Sequence, residues 1–254
     1  MQRGSRASGA SDSTSLATTH EHGTTALDVS NILMLAWIMP TNIDVAADRG
    51  IIMNKESTYE FGLQDNTGAL QGALAPGCWR WWGTAVVPTD TWTLVGVGVD
   101  GSNERHFING GFAEQDPCPG DLTVNDEDFK IGARGGDGGH GSQFLGSIDE
   151  AMIFGAMLSE DEVGAVYGSM VPGWCAFGYQ FNDGTGTCEA VTGLMAVENL
   201  PHTLVGYWPL NGDATDIGPN ALHGDAINAE WVTGVAGQAF FLSGDDTVRV
   251  VEHG

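Results

Sequence analysis

Positive charge is scarce in this 254-residue chain: nine Lys and Arg stand against 33 Asp and Glu, a formal net charge of −24. Such a surface repels phosphate backbones at every approach, which excludes nucleic acid as a partner class. Long apolar runs are missing as well. No stretch approaches the roughly 18 residues that a membrane-spanning helix needs. The first stretch, MQRGSRASGASDSTSLATTH, has arginines but no apolar segment of secretory-signal length, so residues 1–20 are expected to be a disordered lead. Cysteine is sparse. Cys78, Cys118, Cys175 and Cys188 show neither C-x-x-C spacing nor histidines at zinc-site intervals, which removes structural zinc. Their even number permits two disulfides in any of three pairings. Cys175 with Cys188 is the local choice and leaves Cys78 to Cys118; the alternative is four unpaired thiols in a reducing compartment.

What is present is enough for a substantial core. Hydrophobic residues make up 42% of the chain and eight are Trp, so the 38 glycines read as turn markers rather than as disorder. The dominant pattern is alternation with a period of two. In NILMLAWIMP, Leu33, Leu35, Trp37 and Met39 share one face and Met34, Ala36 and Ile38 the other. Both faces are apolar, which predicts a central strand. Tyr59, Phe61 and Leu63 repeat the alternation. Val95, Val97 and Val99 lead through a turn at Asp100 and Gly101 into HFI, a hairpin signal. Ile148, Met152 and Phe154 mark a further strand, followed by one helix signal: Ser159 with Glu162 forms a capping box and Gly168 is a fitting stop. Residues 169–203 look irregular and read as a cysteine-containing linker, and strand character returns from Leu204 to the end. The class is all β, a sandwich or barrel with one short helix.

The order of these pieces resembles a known family. WTLVGVGVDGSNERHFINGG, FKIGARGG and FLGSIDEAMIFGAMLSEDEVGAVYG are similar to the second half of a laminin G-like, concanavalin A-like jelly roll. LVGYWPLNGDATDIGPNALHGD and QAFFLSGDDTVRVV resemble the opening of the same fold. The halves therefore stand in reversed order: residues 21–168 lack the opening strands and residues 204–254 consist of them. The terminal stretch is expected either to complete the same sandwich, as a circular permutation, or to add to a neighbouring copy. The chain would then be a monomer or a strand-exchanged oligomer.

The resemblance implies an extracellular recognition or adhesion module that binds a glycan or a partner protein. Two alternatives stay open: a glycoside hydrolase of the same fold, or an architectural spacer in a tandem array. Relatives that hydrolyse glycosides carry E-x-D-x-x-E on one strand, where SIDEAMIF has Ser147 and Met152 at the outer acid positions, so the chain is read as not an enzyme. Asp149 and Glu150, being adjacent, are expected on opposite faces. Structural calcium is the cofactor the family implies, with Asp149, Asp213, Asp216 and Asn220 as candidate ligands, or else as hydrogen-bonded turn residues. From the residues themselves, CWRWWG offers flat aromatic surfaces for a sugar. Trp79, Arg80, Trp81 and Trp82 are the candidate ligand-binding residues together with His140, against the alternative that the rings only pack the sheet. If that segment is extended, Trp79 and Trp81 lie on one side and Trp82 on the other.

Overall fold

The computed structural model describes residues 26–43, 49–134, 142–170, 179–182, 187–190, 203–244 and 246–251. One antiparallel sheet is built from β1 (Ile32–Pro40), β6 (Thr93–Val99), β7 (Asn103–Ile108), β8 (Gly111–Pro117), β10 (Gly146–Phe154), β13 (Leu204–Trp208), β15 (Glu230–Thr233) and β16 (Gln238–Leu242). Its order is β15-β16-β10-β1-β6-β7-β8, with β13 also paired to β10. The second sheet contains β2 (Arg49–Lys55), β3 (Tyr59–Gln64), β4 (Leu70–Leu74), β5 (Cys78–Trp82), β9 (Phe129–Ile131), β14 (Gly224–Ile227) and β17 (Thr247–Val250), in the order β14-β17-β9-β2-β3-β4-β5. Strands after residue 203 thus enter both sheets: β13 and β16 pair with β10, and β17 pairs with β9.

The apolar alternation explains how the layers stack. Ile32, Met34, Ala36 and Ile38 of β1 face the space between the sheets, where they join Phe61, Phe129, Phe240 and Trp208. Phe129 and Trp208 stack at 5.3 Å, and the Trp208 indole N–H donates to the Leu222 carbonyl at 2.8 Å. The other face of β1, with Leu33, Leu35 and Trp37, meets Val163, Val166 and Met170 of helix α1 (Glu160–Met170). A central strand buried on both sides is the arrangement that the two apolar faces of NILMLAWIMP demand.

Three local expectations change. The capping box forms, with Glu162 accepting from the Ser159 amide at 2.7 Å, but α1 runs to Met170 rather than stopping at Gly168. Met170 is buried and its sulfur accepts from the Trp37 indole at 3.0 Å, which anchors the extra residues. The stretch expected to be irregular holds a two-stranded hairpin, β11 (Tyr179–Asn182) with β12 (Thr187–Ala190). In β10, Ile148 faces between the sheets while Met152 and Phe154 face the helix, although their spacing put all three on one side. Between the pairs Leu35↔Met152 and Trp37↔Asp149 the strand β10 carries one extra residue, and Glu150 has φ 50°. That bulge reverses the alternation. Among the described residues no helix is long and apolar enough to cross a membrane.

Candidate functional site

Strand β5 lies at one edge of its sheet and β8 at the same-side edge of the other, so together they close one flank of the sandwich. Three links cross this flank in antiparallel order. Cys78 at the start of β5 is disulfide-bonded to Cys118, just after β8. Two residues along, Arg80 forms an ion pair with Asp116 and donates to the Pro117 carbonyl at 3.2 Å. Beyond the end of β5, Glu114 accepts from the amides of Thr84 and Ala85 at 2.7 and 2.9 Å and from the Thr84 hydroxyl at 2.8 Å. Burial pushes the Glu114 carboxyl up, but these amides, the hydroxyl and His106 outweigh it and hold it below the usual carboxylate range.

The tryptophans sit on this stapled edge. Trp79, Trp81 and Trp82 are all half-buried, and Arg80 is exposed. The simple alternation expected for them is interrupted. Trp81 has φ 43°, and β5 takes four steps, from Cys78 to Trp82, to pass two steps of β4, from Leu74 to Gly72. Trp82 turns onto the His106 ring at a centroid distance of 5.0 Å. His106 is fully buried, with its ring nitrogens 2.9 Å from Glu104 and 3.3 Å from Glu114. Gly83 allows this approach: a Cβ there would fall 2.0 Å from the Leu70 carbonyl oxygen and 2.6 Å from the imidazole, at φ 139°. His140 lies outside the described residues, as does Cys175, and the side chain of Cys188 is not described either.

Sequence reasoning missed Glu104, His106, Glu114 and Asp116. Their signal was available as two i, i+2 pairs, E-x-H in NERHF and E-x-D in AEQDP, each on one face of an extended strand. It was passed over because the pairs belong to different strands, and only the β7–β8 hairpin register His106↔Glu114 brings them together.

A second group of acids lies on β10. The bulge brings Asp149 and Glu150 to the helix-covered face together, not to opposite faces. Asp149 stands opposite Trp37, and Glu150 meets the hydroxyl of Tyr207, itself part of the cluster under the helix. Both are fully buried. Asp149 accepts from the amides of Val235, Ala236 and Glu150 at 2.7, 3.2 and 2.9 Å. Burial nonetheless pushes its carboxyl up to about 7 against those three bonds. Burial, reinforced by the Asp149 charge, raises the Glu150 carboxyl well above its ordinary value. Only one of its oxygens has a hydrogen-bond partner among the described residues.

The candidate calcium ligands are not brought together. Asp216 is buried and its two oxygens accept from the amides of Tyr207, Gly218 and Leu222, each at 2.7 Å. Asn220 donates to the Val205 carbonyl at 2.8 Å, and the exposed Asp213 accepts from the Thr215 amide at 2.9 Å. These are loop-shaping bonds of the Asx kind. A hard cation needs six to eight converging oxygens. Among the described residues no group of three or more His, Cys, Asp or Glu side chains is placed to hold a metal ion.

A family model described as Laminin_G_3, concanavalin A-like lectin/glucanases superfamily, matches residues 10–164. No curated protein matches the sequence. A candidate carbohydrate-binding protein from Bacteroides ovatus ATCC 8483 superposes with a TM-score of 0.50 at 15% identity, over 92% of this chain and 56% of its own. The chain therefore spans little more than half the length of that protein. Domain 4 of the extracellular GH43 arabinanase of Geobacillus stearothermophilus, in complex with arabinotriose, gives a TM-score of 0.42 at 21% identity, over 55% of this chain and 68% of its own. The CBM40 module of the Ruminococcus gnavus IT-sialidase, bound to α2,3-sialyllactose, gives 0.42 at 16% identity, over 55% and 83%. At these identities the likeness is one of fold.

Proposed function

This chain belongs to the Laminin G 3 family of the concanavalin A-like lectin/glucanase superfamily, and from that premise we propose that it is a non-catalytic extracellular module that binds a glycan at the β5 rim. The observation that carries the reading is the placement of Trp79, Trp81 and Trp82, each with part of its indole open, on an edge strand fastened to its neighbour by a disulfide, an ion pair and a carboxylate clamp. Pyranose rings present faces of C–H groups that pack on indole surfaces, while their hydroxyls need donors and acceptors alongside. Arg80, Thr84 and Glu114 provide these. A platform held rigid before the ligand arrives loses less entropy on binding.

One feature favours binding over hydrolysis. Retaining glycosidases need two carboxylates about 5 to 5.5 Å apart flanking the sugar bond. Asp149 and Glu150, on the strand where hydrolytic relatives carry their acids, are both fully buried beneath the helix-covered face. The Cys78–Cys118 disulfide supports an oxidising, extracellular setting.

The test is a glycan array followed by calorimetry on Trp79→Ala and Trp81→Ala, with product analysis of every oligosaccharide that binds. Binding without turnover is expected, weakened at least about tenfold, or about 1.4 kcal/mol, by either substitution in a folded protein. Release of shorter sugars would establish the hydrolase alternative instead. A folded protein that binds nothing on the array would favour the architectural spacer.

A further inference from the structure

Arg80 stands between Trp79 and Trp81 in the sequence of β5, the strand proposed as the platform. A free arginine among aromatic rings is a recognition device for sugar carboxylates and sulfates, because its planar fork matches them in geometry and charge. Here it is not free. Asp116 reaches from β8 to the guanidinium, and the two side chains keep 35% and 37% of their surface open, so the ion pair is accessible from solvent at the rim. Glu114 lies two residues earlier on the same face of β8, its carboxyl held below the usual carboxylate range by its hold on Thr84 and Ala85.

An anionic sugar arriving at this rim gains nothing by replacing Asp116, since it exchanges one carboxylate for another and leaves the displaced one beside it. The net charge of −24 opposes its approach over several ångströms more, most strongly at low ionic strength. A neutral sugar suffers neither cost and finds Asp116 and Arg80 already oriented as acceptor and donor for its hydroxyls.

We infer that Asp116 is a specificity-determining residue: by neutralising Arg80 it restricts the rim to uncharged oligosaccharides and rejects uronic, sialylated and sulfated ones. This rests on the β5 rim being the sugar platform.

The experiment compares neutral oligosaccharides with their uronic or sialylated counterparts, by calorimetry on the full chain at low and at high ionic strength. In the wild type, neutral sugars should bind with an affinity insensitive to salt, and acidic counterparts at least about tenfold more weakly. In Asp116→Asn, which removes the charge and keeps the shape, the ratio of acidic to neutral affinity should rise about tenfold or more at low salt and fall back at high salt. The wild-type salt series stands even if the variant folds poorly. Acidic sugars binding the wild type as well as neutral ones, or a ratio unmoved by Asp116→Asn, would overturn the inference and leave the platform in place. Failure of both sugar classes to bind would overturn both.

Discussion

Strands β8 and β10 each present two acids close together, Glu114 with Asp116 and Asp149 with Glu150, yet the surroundings give the pairs opposite properties. On β8 the acids lie at an edge, spaced by two, and each reaches across to another sheet: Asp116 to a guanidinium, Glu114 to two amides and a hydroxyl. On β10 a bulge gathers adjacent acids beneath a helix, where, among the described residues, Asp149 has three amide donors but no cation and Glu150 has one phenol. Partners outweigh burial at the rim, and Glu114 lies below its ordinary range; burial outweighs partners in the core, and Asp149 lies at about 7. A carboxylate's position relative to water and donors, more than its spacing in sequence, decides whether it can meet a ligand.

The sharpest way to separate the pairs is to truncate one acid of each. Asp149→Ala leaves the amides of Val235 and Ala236 buried without an acceptor, at the β15–β16 turn where Gly234 permits the approach, its Cβ position being 2.4 Å from the carboxylate. The expected loss is about 3 kcal/mol or more. Asp116→Ala removes an exposed ion pair and should cost about 1 kcal/mol or less. Denaturant midpoints at constant m would measure both, and equal losses would erase the distinction.

A second effect, with a sign of its own, concerns pH. Asp149 in the folded chain stays protonated up to about 7, whereas its ordinary value is 3.8. Between those limits the native state holds more protons than the unfolded one, so stability falls as pH rises, by about 1.4 kcal/mol per unit for each such carboxylate. The contribution is complete below the ordinary carboxylate range and is lost through about 7. Urea midpoints should therefore fall between about pH 5 and about pH 8, and Glu150→Gln, which removes one titrating group of the pair, should make the fall shallower. Midpoints that rise over this interval in the wild type would contradict the assignment.

The same contrast marks how far the sequence could be read. The double-faced apolar strand at Leu33 to Ile38, the Asp100–Gly101 hairpin and the Ser159–Glu162 box were all readable, because each is a local pattern with a local cause. The bulge at Glu150 was not. Nothing in SIDEAMIF announces an extra residue, which exists because β10 must answer Leu35 and Trp37 on one neighbour and Tyr207 and Trp208 on the other. The clamp of Glu114 on Thr84 and Ala85 was hidden for a related reason: its partners are about 30 residues away, and only the pairing of edges brings them together.

The smallest effect tests the rim from its own side. Glu114→Gln keeps the shape of the side chain and replaces charge-assisted bonds to the Thr84 and Ala85 amides with neutral ones, while removing the carboxylate 3.3 Å from His106. Hydrogen bonds to a charged acceptor exceed neutral ones by about 1 kcal/mol, which is the loss expected at neutral pH. Its pH dependence runs opposite to that of β10. A carboxyl held below its ordinary value contributes stability above that value and loses it as pH falls through the lowered one, because the unfolded chain takes up its proton first. The wild-type advantage over Glu114→Gln should therefore persist at neutral pH and disappear in acid, whereas the β10 acids favour the native state most in acid. An advantage for Glu114 that grew as pH fell would mean that the rim acid is governed by burial after all, and that the clamp on Thr84 and Ala85 does not hold it ionised.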